Sequence, residues 1–116
     1  MLDTTPLTAA VDRFADRLRA APQSRLQRGA AAEGLALARE LAVRAQQLEA
    51  PGRDPRIMPD AGMFVVADQV CVAGHDLAEA LKTAPSASTS SDVNEAVRLV
   101  EAAATRALGP GRRADG

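Results

Sequence analysis

Seven prolines decide what this chain can fold into. They stand at positions 6, 22, 51, 55, 59, 85 and 110. Proline has no backbone N–H, and its ring clashes with the preceding turn, so helices run between prolines rather than through them. The four long stretches they delimit carry apolar residues at helical spacing.

Thr5 and Pro6 open the first stretch as N-cap and first helical residue. Leu7, Val11, Phe14, Leu18 and Ala21 then recur at four-three spacing, predicting a helix over 6–21 with one narrow apolar face. The second predicted helix, 24–50, has a divided apolar arc. Leu26, Leu37, Leu41 and Leu48 form one edge, and Ala31, Gly34, Ala38, Ala42 and Ala45 the other. Gly29 and Gly34 are read as close-packing positions inside it. "PGRDPRIMPD" excludes helix, and Ile57 with Met58 is expected to fold back as a lid on one end of the bundle. Asp60 is read as the cap of a third helix, 61–84, with a seam of Met63, Ala67, Val70, Gly74, Leu77 and Leu81. "PSASTSS" reads as a small flexible connection. Asp92 and Glu95 have capping-box spacing for a fourth helix over 92–108, striped by Val93, Val97, Val100, Ala104 and Leu108 and stopped by Gly109 and Pro110.

Composition supports helices throughout. Alanine fills 26 of 116 positions and only Phe14 and Phe64 are aromatic, which favours helix over strand. The expectation is an all-α protein: an antiparallel up-and-down four-helix bundle whose two long central helices form a projecting hairpin. One domain spans 1–109, and 110–116 is a flexible tail.

Fourteen basic and fifteen acidic residues give a net charge of −1 with no block of one sign. Such a surface is no funnel for polyanions. Arg25, Arg28, Arg112 and Arg113 are the candidates for phosphate contact, but no aromatic platform accompanies them, so nucleic acid is not the expected partner. Thirteen arginines against one lysine, with the alanine excess, read as a GC-rich and bacterial coding bias. A single cysteine and the lack of a signal-like or membrane-length apolar run fit a cytoplasmic protein.

The one histidine, His75, lies in "AGHDLAEALK" on the polar flank of the third helix. His75-Asp76-Leu77, with Leu81 following, resembles the phosphoacceptor box of sensor histidine kinases. That resemblance implies a phosphoacceptor His75 assisted by Asp76 on a helical bundle. Ala78 and Ala80 replace the basic residue and the proline of that box. Cys71 and His75, four residues apart, could share a metal with Asp68 or Glu79. A zinc site needs three or four ligands and the chain has no second His or Cys, so no metal or cofactor is expected. The plainer reading is a solvated histidine.

Val65 and Val72 interrupt the polar arc of the third helix, with Phe64 and Cys71 beside them. A helix apolar nearly all round is usually buried on both sides. Phe64, Val65 and Val72, with Gln69 and the stem of Lys82 around them, are therefore the expected contact with a second copy or another helical protein. The resulting expectation is a non-catalytic bacterial regulatory or accessory factor acting through protein–protein interaction, as a homodimer. Histidine phosphotransfer through His75 and DNA-associated regulation are the alternatives.

Overall fold

A computed structural model describes residues 2–84 and 88–111; the expected tail from 112 and residues 85–87 of the 85–91 connection lie outside it. The protein is all-helical among the described residues. Four long helices, α1 (Thr5–Ala20), α3 (Ala31–Glu49), α4 (Val66–Thr83) and α5 (Ser90–Leu108), are joined by one short turn, α2 (Gln23–Arg25), and a kinked segment, Leu26–Ala30. No helix among the described residues is long and apolar enough to cross a membrane.

The faces follow the sequence pattern closely. Leu7, Val11, Phe14 and Leu18 of α1, Gly34, Leu37, Ala38, Leu41 and Ala45 of α3, and Ala67, Val70, Gly74, Leu77 and Leu81 of α4 are all buried. On α5 the buried stripe is Val93, Ala96, Val100, Ala103 and Ala107, with Val97, Ala104 and Leu108 half-buried at its edge.

The direction of the helices differs from the expected up-and-down order. Gly34, early in α3, faces Val66 and Val70 at the start of α4. Leu48, late in α3, lines a depression with Leu77 and Leu81 late in α4. These two helices run parallel. By contrast α1 runs against α4, pairing Asp12 with His75 and Arg19 with Asp68. α5 runs against α3, pairing Arg44 with Glu95 and Arg106 with Glu33. α1 and α5 are parallel: Ala10 and Phe14 share a groove with Val100 and Ala104, and Arg17 donates to the Leu108 and Gly109 carbonyls, at 3.1 and 3.0 Å. The last contact satisfies carbonyls that a helix C-terminus otherwise leaves unpaired. The packed pairs are α1–α4, α4–α3, α3–α5 and α5–α1.

A parallel α3–α4 pair forbids a hairpin, so residues 50–65 return along the side of α3. No lid forms on the bundle end: Ile57 is 62% exposed and Met58 half-buried. The crossover is tied down by side chains. Gln46 both donates to the Arg56 carbonyl (2.9 Å) and accepts from the Arg56 N–H (2.7 Å). Arg39 donates to the Met58 carbonyl, and Gln69 of α4 to that of Pro59.

The N-cap of α1 is Thr4 and not Thr5, and three further helix starts differ from expectation for local reasons. Asp60 accepts from the Gly62 N–H and Gly62 takes φ 99°, so the chain turns there and α4 begins only at Val66. The capping box of α5 is Thr89 with Asp92, one turn before the expected Asp92–Glu95 pair; Glu95 instead binds Arg44. Gly29 takes φ 140°, a conformation other residues avoid, and it kinks the chain between α2 and α3 rather than packing.

Gly34 and Gly74 are the true close-approach positions. A Cβ on Gly34 would lie 2.5 Å from Val66 Cγ1, and one on Gly74 would overlap both Val11 methyls and lie 3.0 Å from its Cβ. Gly74→Ala is therefore expected to destabilise by about 1–3 kcal/mol through overpacking, despite alanine's helix-propensity advantage of ~1 kcal/mol. Denaturant titration measures this; a stabilised Gly74→Ala protein would mean that α1 can move away from α4 freely.

Candidate functional site

The close approach at Gly74 brings chemistry together. Val11 seats on Gly74, so its neighbour Asp12 on α1 arrives over one face of α4. Cys71 and His75 project from that face, four residues and about one turn apart. His75 Nε2 lies 2.9 Å from Asp12 Oδ1, a hydrogen bond to the carboxylate in the tautomer that carries its hydrogen on Nε2, and the Cys71 thiol approaches the same oxygen at 3.7 Å. The three ligand-capable atoms lie within 4.8 Å of one another. Asp12 and His75 are each about half-exposed, and Cys71 is half-buried.

One α-helical stretch further along this seam, Arg19 binds Asp68 at 2.8 Å and Asp16 at 3.3 Å. Asp68 is therefore turned to Arg19. The acid that joins Cys71 and His75 is Asp12, from another helix, and neither Asp68 nor Glu79.

Burial pushes the Cys71 thiol above its ordinary value, and the Asp12 carboxylate pushes it further; Arg19 opposes both without reversing them. A thiol held protonated is a poor nucleophile. The cluster is thus not arranged as a cysteine–histidine catalytic pair, since the group facing the sulfur is a carboxylate.

His75 and Asp76 part company. His75 faces α1, whereas exposed Asp76 borders a depression lined by Ala42, Ala45, Ile57, Met58 and Pro59 on the crossover side. The carboxylate on the imidazole is Asp12. A polar contact this exposed contributes at most about 1 kcal/mol to stability.

Among the described residues, the four large apolar side chains most open to solvent are Ile57 (62%), Phe64 (73%), Val65 (39%) and Val72 (58%). Phe64, Val65 and Val72 lie at the head and outer face of α4. Gln69, between the two valines in register, is half-buried and bonded to Pro59, with its Oε1 buried and lacking a protein partner. It supports the crossover beside the patch. Arg25 and Arg28 are exposed and border a depression with Glu33 and Arg106, where Glu33 already binds Arg106.

Asp12 was invisible as a site residue in the sequence, where it reads as one charge on the wet side of α1. The available signal was Gly74, a gap in an otherwise filled seam. No protein-family model, curated protein or solved structure matches this chain.

Proposed function

We propose that this protein works by binding protein, as a homodimer joined through the outer face of α4, and has no catalytic activity of its own. A cytoplasmic bacterial regulatory or accessory role accompanies that reading. The observation that carries it is the exposure of Phe64 and Val65, in the turn that leads into α4, and of Val72 on α4 itself, whose opposite face is already buried in the core. Val65 and Val72 are seven residues apart, about 10.5 Å along the helix. A two-fold axis between them sets each α4 against its copy, so one patch serves both sides of the contact.

The test replaces both valines by glutamate. Full burial of a valine contributes about 1.5–3 kcal/mol, and four glutamates across the axis add like-charge repulsion. The Val65→Glu, Val72→Glu double variant is expected to stay helical and to raise the dimer dissociation constant at least about a hundredfold. Sedimentation of both proteins at matched micromolar concentrations reads this directly. A wild-type chain that is monomeric throughout that range sinks the homodimer.

A further inference from the structure

We infer that Asp12, Cys71 and His75 bind one divalent transition-metal ion of the zinc class, linking α1 to α4 and leaving a coordination position open to solvent. The donor set itself selects the ion. A thiolate with an imidazole suits zinc, cobalt, nickel or copper, whereas magnesium and calcium want oxygen throughout.

Geometry agrees with this set. In a tetrahedral zinc site, metal–ligand distances of ~2.0–2.3 Å place donor atoms roughly 3.3–3.7 Å apart. Here Cys71 Sγ and Asp12 Oδ1 are 3.7 Å apart, Asp12 Oδ1 and His75 Nε2 2.9 Å, and no pair exceeds 4.8 Å. Small side-chain rotations open the 2.9 Å pair around an ion and set the Cys71–His75 pair, already within 4.8 Å, at tetrahedral spacing. The three donors come from two helices held together by the Val11–Gly74 contact, so their backbones are fixed before any ion arrives. The partial exposure of Asp12 and His75 leaves water access for the remaining position.

Charge also balances. The ion takes the place of the thiol proton: the S–H bond breaks, the sulfur keeps the electron pair and donates it to the metal, and the proton leaves to the buffer, while the imidazole offers its Nε2 lone pair as the neutral tautomer with its hydrogen on Nδ1. A doubly charged ion with one thiolate, one carboxylate and one neutral imidazole is then uncharged. Arg19, the nearest cation to Cys71, is already paired with Asp68 and Asp16.

The experiment uses the full chain, reduced, with Zn²⁺ competed against a chromophoric chelator and Co²⁺ as the spectroscopic probe. One equivalent of Co²⁺ should give a thiolate-to-cobalt charge-transfer band and intense visible bands of tetrahedral type. Cys71→Ser should abolish the charge-transfer band. Replacing a partner of a ligand weakens metal sites about 10–100-fold, so Asp12→Asn and His75→Gln, which remove ligands outright, should each weaken Zn²⁺ at least about tenfold. Glu79→Gln should leave Zn²⁺ affinity unchanged. All four substitutions are at solvent-accessible positions, and circular dichroism checks that each variant is folded. Failure to bind Zn²⁺ at micromolar concentration, a cobalt spectrum lacking the thiolate band, or equal affinity in wild type and Asp12→Asn overturns the site. Loss of affinity on Glu79→Gln with Asp12→Asn unaffected overturns it in favour of a ligand set on α4 alone.

Discussion

Phe14→Ala is expected to lower the folding free energy by about 3–5 kcal/mol. Phe14 is the one buried aromatic among the described residues, 1% exposed, and sits where α1 meets α5. Little that shares its groove can refill the space: Ala10 and Ala104 have no reach beyond Cβ, and Val100 has only short branches. A cavity that neighbours cannot collapse into sits at the upper end of the truncation range. Domains are stable by roughly 0.05–0.15 kcal/mol per residue, so this loss removes a large fraction of the total. Urea titration measures it as a lower midpoint with an unchanged slope. A loss below about 1 kcal/mol would show that the helices close over the gap, and that the alanine faces slide more easily than side-chain packing implies.

Leu41→Ala is expected to lose about 2–5 kcal/mol. Leu41 is fully buried midway along α3, the helix that touches both α4 and α5. The substitution is informative because propensity opposes it: alanine is the better helix former. Any destabilisation therefore measures packing alone. Leu41→Met, which keeps the volume, should lose less than about 1.5 kcal/mol. If both variants lose the same amount, shape rather than volume governs the α3 interface, and the cavity account fails.

The faces of the helices were legible because amphipathic spacing is a local property. Leu7, Val11, Phe14 and Leu18 form the same stripe in the sequence and in the fold. Direction was not legible, since a stripe says which side of a helix is buried and nothing about which way its neighbour runs. Residues 50–65 fit a loose turn or a full-length return equally well by composition. Their length was the clue, because most helix–helix connections are two to eight residues. The two glycines of "RGAAAEG" show a second limit. Gly29 kinks the chain and Gly34 admits Val66, yet both look alike until a neighbour is placed. For the same reason Asp12 could not be joined to His75, 63 residues away. Cys71 and His75 were visible as a pair because one helix holds both, while the third donor depends on a tertiary contact.

The return path of residues 50–65 also governs how the chain must find its structure. No two long helices adjacent in sequence can zip together as an antiparallel hairpin. α3 and α4 are parallel, and α4 and α5 touch only lightly. The contacts that fix the other interfaces join residues far apart: Arg19 to Asp68 over 49 positions, Arg44 to Glu95 over 51, Arg17 to Leu108 over 91. Each demands loop-closure entropy before its burial is realised. Helical proteins usually fold fast because their contacts are local; this one has local helices and a distant-contact core. Its slow event is expected to be the docking of preformed helices, since α1 finds both of its neighbours only after the last helix exists.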